Sequence, residues 1–322
     1  MKFKKLLSFV AAAAMACTAM LGSMTITSFA ASNAGKLKWE VTSGTLNIWC
    51  EEEGGAAMDN YTAGRNTPWY SSRNSITKVV IGDGVKSVGN YAFHDYFSNI
   101  TEITIGPDVT SIGDYAFNLN GTGNASALKK VTMSDNITSI GQRAFYKLTG
   151  LTTIQTTATA EVQQQATDDD GNLLYIDSET GDDTTTAEGN EPKMETVTAN
   201  VQGLPSKLQT IGDYAFYNNS VLTGVTLPET LTSIGESAFQ DSPNAIETVN
   251  LTSNSKLATI GEAAFRGMTS LRTFSCLSSS LTEIPNNAFS GCTSLADFNV
   301  SVNLTTVGNF AFDGCTSLTD SF

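Results

Sequence analysis

Three kinds of residue in this 322-residue chain could carry chemistry: one histidine, five cysteines and an excess of acids. A serine or cysteine nucleophile needs a histidine as its base, and His94 is the only histidine. The cysteines outside the first thirty residues do not follow a zinc-ligand spacing. They are Cys50, Cys276, Cys292 and Cys315.

The acids are densest between residues 168 and 183, where carboxylate oxygens of the kind that Ca²⁺ prefers lie close in sequence. Their spacing differs from that of an EF-hand loop. We interpret the segment as a solvated acidic turn, with a calcium site as the alternative. The acids concerned are Asp168, Asp170, Asp177, Asp182 and Asp183.

Other chemistry finds little support in the sequence. No acid stands in a context that indicates a pocket for glycoside hydrolysis, and the glycines do not form a phosphate-binding loop. We predict that the chain is not an enzyme and that it uses no cofactor or metal. Its 32 acidic and 18 basic residues give a net charge of -14, which argues against nucleic acid and against electrostatic docking on anionic membranes.

The first thirty residues resemble a signal peptide. Lys2, Lys4 and Lys5 precede an apolar, alanine-rich stretch, and small residues before Ala30 favour cleavage there. Cleavage removes three lysines and no acid, which changes the net charge from -14 to -17. A lipoprotein with Cys17 as the lipidated residue is the alternative. No later stretch is apolar enough to span a membrane.

The elements that must position these residues are copies of one phrase. A nine-residue phrase recurs eight times, from VKSVGNYAF at 85–93 to LTTVGNFAF at 304–312. Each copy ends in phenylalanine, and most copies lie 23 to 28 residues apart. His94 follows the first of these phenylalanines, at a position that varies between copies and so indicates a corner rather than a catalytic site. The phenylalanines are Phe93, Phe117, Phe145, Phe216, Phe239, Phe265, Phe289 and Phe312.

A second phrase, of the form L-x-x-V-x-L, lies between the copies, as in Leu222-Val225-Leu227. Its alternation of apolar and polar residues, with many threonines, predicts a short strand. Stacked copies would bury a continuous apolar ribbon that no single copy could bury. The Gly that follows Ile in most copies predicts either a positive φ or a position with no room for a side chain.

These phrases resemble the BspA-type leucine-rich repeats of bacterial surface proteins. Gly291-Cys292-Thr293-Ser294-Leu295 and Leu227-Pro228-Glu229-Thr230-Leu231 match the family consensus, and the resemblance covers residues 36 to 322 apart from one insertion. It implies a leucine-rich repeat solenoid, mainly β with short turns or helical corners, whose parallel strands stack about every 23 residues.

The repeat divides the chain into segments. We predict a signal peptide at 1–30, an N-terminal β-hairpin cap at 36–75, repeats at 76–156, a polar β-rich insertion at 157–203 and further repeats at 204–322. The last block stops where another strand is expected, which favours either truncation or a cover from elsewhere. Cys276, Cys292 and Cys315 are expected to be buried, with a disulfide between the last two as the alternative.

The outward face of the stacked strands is the predicted binding surface. It is small, polar and rich in threonine, which favours a weak, multivalent contact over one with large aromatic anchors. Aromatic candidates elsewhere are Trp69, Tyr70, Tyr91, Tyr115 and Tyr214, for which local packing is the competing interpretation. The predicted strand-face residues are Lys78, Glu102, Thr104, Lys130, Thr132, Thr153, Gln155, Thr226, Thr248, Asn250, Thr273, Ser275, Asp297 and Asn299.

Two functions follow as hypotheses. The family resemblance implies an exported adhesion or recognition module at the bacterial surface, which contacts an unknown protein or glycan, host matrix or another cell. The alternative is a structural spacer or display scaffold within a larger surface protein.

Overall fold

The computed structural model describes residues 36–121, 123–165, 175–176, 183–184, 191–192 and 194–319. These residues form a solenoid of short strands, with turns at the corners and two 3-10 helices in the N-terminal region, Gly64–Asn66 and Tyr70–Ser72. The signal-peptide prediction falls outside the described residues.

The strands in chain order are β1 (Lys38–Thr42), β2 (Thr45–Trp49), β3 (Ala56–Ala57), β4 (Lys78–Ile81), β5 (Val85–Val88), β6 (Glu102–Ile105), β7 (Ser111–Ile112), β8 (Lys130–Ser134), β9 (Ser139–Ile140), β10 (Thr153–Gln165), β11 (Tyr175–Ile176), β12 (Asp183–Thr184), β13 (Glu191–Pro192), β14 (Met194–Gln202), β15 (Thr210–Ile211), β16 (Ser233–Ile234), β17 (Thr248–Leu251), β18 (Thr259–Ile260), β19 (Thr273–Cys276), β20 (Glu283–Ile284), β21 (Asp297–Val300) and β22 (Thr306–Val307).

Most coils contribute a strand to each of two faces. The first face begins with the sheet β1-β2-β4-β6-β8-β10-β14, in which β2 to β10 run parallel and β1 closes an antiparallel hairpin with β2. The second face carries β3-β5-β7-β9-β15-β16-β18, all parallel. The predicted parallel solenoid and its hairpin at the N-terminal end are confirmed.

Inward residues of the first face stack in register. Leu46 pairs with Val79, Val79 with Ile103, Ile103 with Val131 and Val131 with Ile154. All five are at most 1% exposed. The repeat's alternation therefore corresponds to one apolar row along the solenoid axis.

The phenylalanines form a second buried row, the aromatic column. Successive rings stack with centroids 5.2 to 5.9 Å apart, from Trp69 through Phe93 to Phe312. Trp69, an aromatic candidate for binding, is instead fully buried as the first ring, and its Nε1 donates to the Ala92 carbonyl at 3.1 Å. Phe145 stacks on Phe216 across the insertion, so the column is continuous.

Close packing leaves no room for a side chain at the Gly that follows Ile or Val in seven of the eight copies; Pro285 takes its place in the copy at 281–289. A Cβ atom on Gly261 would lie 2.3 Å from the Glu236 nitrogen, and Gly261 does not have a positive φ. The left-handed conformation occurs two residues later in each coil, at what we call the corner residue. The corner residues, with φ between 51° and 58°, are Tyr91, Tyr115, Arg143, Tyr214, Ser237, Ala263, Asn287 and Phe310.

The insertion grows out of a repeat strand. β10 begins at Thr153 beside β8 and continues to Gln165, and β14 returns antiparallel beside it, with a register shift between Ala158 and Val162. The predicted β-rich excursion is confirmed in these two strands. The suggested calcium ligands lie outside the described residues, except Asp183 in β12.

β14 also divides the first face. It takes the edge of the first sheet, and residues 222–227 of the next coil form no strand. Parallel pairing on this face resumes as β17-β19-β21, while the second face is uninterrupted to β18 and is followed by β20-β22. The predicted ladder is therefore present as two separate segments.

Candidate binding surfaces

The first segment of the strand face carries a row of alternating charges. Glu102 lies in register between Lys78 and Lys130 on neighbouring strands. Its carboxylate is 3.2 Å from the Lys78 ammonium and 3.8 Å from that of Lys130. All three side chains are at least a third exposed, so solvent weakens these pairs and leaves the charges accessible.

A second row on this segment is more covered than its sequence position suggested. Thr104, Thr132 and Gln155 lie in register. Thr132 is only 6% exposed, because the other two side chains project from the same face on either side of it. Thr153, which pairs with Lys130, is half-buried. The usable surface in this segment is therefore centred on the charged row.

The second segment lies on β17, β19 and β21 and is purely polar. Thr273 pairs with Thr248 on one side and with Asp297 on the other. Thr226 is exposed but belongs to the strandless stretch beside β14. The remaining predicted residues are Asn250, Ser275 and Asn299, which lie in register with one another.

The corner residues Tyr91, Tyr115, Arg143 and Tyr214 form an aromatic ridge on the early coils. The sequence indicated the three tyrosines as candidates but not Arg143. Tyr91 stacks on Tyr115 with centroids 4.8 Å apart. The Arg143 guanidinium lies 5.5 Å from the Tyr115 ring centroid and 5.0 Å from that of Tyr214, and its Nη1 donates to the Tyr115 hydroxyl at 2.9 Å. The equivalence of Arg143 with the tyrosines in the repeat was the signal that could have revealed this cluster.

His94 packs beside this ridge. Its ring meets Tyr91 and Tyr115 edge-on, at 5.1 and 5.7 Å between centroids, and its Nδ1 is 3.3 Å from an oxygen of Asp95. Burial lowers the pKa of His94, and the nearby Asp95 carboxylate opposes that shift. Within the described part of the chain, no three His, Cys, Asp or Glu residues gather as a metal site would require.

The four cysteines among the described residues are free thiols with packing roles. Cys276 is fully buried in β19, and the thiols of Cys292 and Cys315 donate to the carbonyls of Phe265 and Phe289 at 3.1 Å. Burial raises the pKa of Cys292 to about 12 and that of Cys315 to about 11. These thiols therefore stay protonated at neutral pH, and no disulfide joins them.

The repeat, the coils and the aromatic column agree with one family model. The BspA type leucine-rich repeat region matches residues 67–177 and 196–319, in six copies. The chain belongs to the BspA-type leucine-rich repeat family. The match covers coils on both sides of the insertion, as the resemblance in the repeat phrases implied.

Solved structures of leucine-rich repeat proteins are similar to this chain at low sequence identity. A protein from Eubacterium ventriosum is 20% identical over 89% of both chains, with a TM-score of 0.33. The leucine-rich repeat protein of T. pallidum is 18% identical over 90% of this chain and 91% of its own, with a TM-score of 0.43. A leucine-rich cell surface protein of Faecalibacterium prausnitzii is 18% identical over 85% of this chain and 95% of its own, with a TM-score of 0.27.

No curated protein matches the sequence. Among the residues that the structure describes, no helix is long and apolar enough to cross a membrane.

Proposed function

We propose that this BspA-type protein is an exported binding module that contacts a protein or glycan through its strand face. The observation that carries the proposal is the register of that face: polar side chains repeat on hydrogen-bonded strands, as in Lys78, Glu102 and Lys130. A surface whose backbone is fixed by strand pairing loses little backbone entropy when a partner binds. The strand face is therefore prepared for recognition before any ligand arrives.

The chemistry of the face favours many weak contacts. Its second segment consists of small polar side chains such as Thr248, Asn250 and Asn299, without the large aromatic anchors that dominate strong interfaces. Repeated weak contacts along several coils strengthen binding when the partner is itself a repeating polymer or is displayed in many copies. Matrix proteins and surface glycans have this property.

We also propose that the protein works outside the cell, as the family suggests. The signal peptide at 1–30 is removed after Ala30, and the mature chain comprises the cap at 36–75, repeats at 76–156, the insertion at 157–203 and repeats at 204–322. N-terminal sequencing of the secreted protein tests this directly. A mature terminus at Ala31 supports it, and retention of Met1 contradicts it.

The first experiment is a screen of the mature protein, residues 31–322. It is immobilised and exposed to collagen, laminin and an array of glycans, beside a form in which residues 158–199 are replaced by an Asn-Gly turn. This deletion joins the paired strands at Thr157 and Asn200 and leaves the strand face in place. We expect both forms to retain the same ligand. If none of the screened matrix proteins and glycans binds either form, the adhesion role loses its support.

A display scaffold is the second candidate, and the arm formed by β10 and β14 favours it. β10 pairs with β8 only as far as Thr157 but pairs with β14 as far as Gln165, so the arm extends beyond the coil. If a ligand binds the mature protein and not the arm-deleted form, the solenoid is a scaffold for the arm.

A further inference from the structure

A long groove runs along the second face of the solenoid, away from the strand face. It spans coils from Asn60 to Gly261 and encloses about 900 Å³. The repeat glycines form its floor. Its lining includes hydroxyl side chains such as those of Ser111 and Ser139, and a row that runs from coil to coil, which we call the acidic wall: Asn90, Asp114, Gln142, Asp213 and Glu236.

The floor of the groove is bare because the coils leave no room for side chains. A Cβ atom on Gly113 would lie 2.4 Å from the Asn90 Oδ1 atom, and one on Gly235 would lie 2.5 Å from the Asp213 nitrogen. The groove is thus a necessary product of the repeat. It remains open wherever the repeat is regular.

Hydrogen bonds from the backbone hold two of the three carboxylates of the acidic wall, and the third, that of Glu236, accepts from the Tyr214 hydroxyl. Asp114 accepts a hydrogen bond from the Gln142 backbone N–H through Oδ1 at 2.8 Å, and Asp213 does the same for Glu236. Each bond engages one carboxylate oxygen and fixes the direction of the other. A ligand therefore meets carboxylates that are already oriented, which lowers the entropy lost on binding.

Charge decides which ligand suits the groove. Its lining contains three carboxylates, those of Asp114, Asp213 and Glu236, and no Lys, Arg or His. Arg143, the cation of the aromatic ridge, donates a hydrogen bond to the Tyr115 hydroxyl and is not among the residues that line the groove. The groove therefore attracts cations and repels polyanions.

In the aromatic ridge, the ring of Tyr115 is covered by neighbours from the adjacent coils. Tyr91 stacks against one face of Tyr115, and Arg143 from the next coil lies over this ring as well as over Tyr214. With these faces occupied within the protein, binding in the neighbouring groove depends on charge and hydrogen bonds. This favours a basic peptide over a neutral glycan.

We propose that the groove binds an extended, lysine- or arginine-bearing peptide segment that runs along the solenoid axis. Coils stack about 4.8 Å apart, and alternate side chains of an extended peptide are about 7 Å apart, so successive basic residues reach carboxylates in different coils. The proposal concerns a different face from the strand face and goes beyond the function proposed above. Affinity increases with the number of basic residues and decreases with salt.

The test is fluorescence polarisation of labelled hexalysine with mature protein at low ionic strength. The wall variant is Asp114→Asn/Asp213→Asn/Glu236→Gln, which keeps the Oδ1 acceptors and removes three charges; Asn90 shows that asparagine fits this row. The matched control, Glu53→Gln/Glu247→Gln/Asp313→Asn, removes three exposed charges elsewhere. We expect the wall variant to weaken binding at least tenfold and the control less than twofold. Equal losses would show non-specific attraction and overturn the proposal.

Three further measurements cover the remaining outcomes. If the wall variant does not fold, Ser139→Arg, which places a cation in the groove, decides: undiminished hexalysine binding overturns the proposal. Cellohexaose, a neutral glycan, is expected not to compete, and its displacement of hexalysine would also overturn the groove proposal.

The strand-face variant Thr248→Arg/Thr273→Arg should bind hexalysine normally, so that failure of the groove proposal and failure of the strand-face function are distinguishable.

Discussion

The thiol of Cys292 donates a hydrogen bond to the backbone carbonyl of Phe265, the residue on which its own coil's Phe289 stacks. Three residues after the phenylalanine of other coils, the Ser242 hydroxyl donates to the Phe216 carbonyl at 2.7 Å and the Asn219 amide to the Phe145 carbonyl at 3.0 Å. In these coils the position supplies a donor that satisfies a buried carbonyl of the preceding coil, whereas Met268 at the same position of another coil is buried without such a donor. Cysteine is one of several residues that meet this need.

Loss of such a donor should destabilise the array. Ser242→Ala leaves both the Phe216 carbonyl and the Asn219 N–H without their hydroxyl partner in a fully buried site. We expect the free energy of unfolding to fall by about 2–4 kcal/mol. Urea denaturation measures this, with Ser253→Ala at an exposed position as the control, expected within about 0.5 kcal/mol of the parent protein. Equal stability of the two variants would show that these hydrogen bonds contribute little.

The buried thiol of Cys292 and the half-buried thiol of Cys315 should resist modification while the protein is folded. With pKa values of about 12 and 11, Cys292 and Cys315 hold almost no thiolate at pH 8. We expect iodoacetamide to label neither cysteine in native protein and to label both in urea, as measured by peptide mass spectrometry. Rapid labelling of native protein, or a peptide pair joined by a disulfide, is the contrary outcome.

The raised pKa of Cys292 predicts a loss of stability at alkaline pH. Burial raises the folded-state pKa of Cys292 from 9.0 to about 12, so the unfolded chain loses this proton at lower pH than the folded protein. The stability that the protonated Cys292 thiol contributes is fully present below pH 9. It is lost as the pH rises from 9 through the pKa of this thiol in the folded protein.

Urea midpoints at pH 8, 9 and 10 measure this dependence. Cys292→Met imitates Met268, which occupies the equivalent buried position of another coil, and should make the alkaline decline less steep. Tyrosines with raised pKa values, such as Tyr61 and Tyr217, add a loss of the same sign in both proteins. Identical slopes would assign the whole decline to groups other than Cys292.

The repeat glycines should tolerate no side chain. Gly261→Ala places its Cβ 2.3 Å from the Glu236 backbone nitrogen and 2.4 Å from the Gly235 carbonyl carbon, so the backbone must move. We expect a loss of about 3 kcal/mol or more in the free energy of unfolding. Gly82→Ala, where the nearest atom is 3.4 Å away and φ is not positive, should cost less than about 1 kcal/mol. The difference between the two variants in thermal or urea unfolding measures close packing directly.

The periodic features of the fold could be predicted from the sequence because each coil repeats the same physical requirement. Val79, Ile103 and Val131 alternate with polar residues, and the spacing of the phenylalanines sets the size of a coil. Features that depend on contacts between coils could not be read in the same way. The choice between positive φ and lack of room at Gly261 required the distance to Glu236.

Departures from the repeat were the hardest to foresee. Trp69 lies outside any copy of the phrase, yet it begins the aromatic column. Thr132 occupies an outward position but is covered by its neighbours, and Thr226 lies outside the sheet because β14 takes its place. Arg143 replaces a tyrosine at a corner, and only the structure shows its guanidinium over the rings of Tyr115 and Tyr214.

The strand face as the binding surface is tested most directly by the dissociation constant of whichever screened matrix protein or glycan the mature protein retains. Thr248→Arg/Thr273→Arg places two large cations on this face, and Thr269→Arg/Thr293→Arg places the same charges in exposed turns after the aromatic column. We predict at least a tenfold increase in the dissociation constant for the first variant and less than a twofold change for the second. Equal constants for the two variants would contradict binding through the strand face.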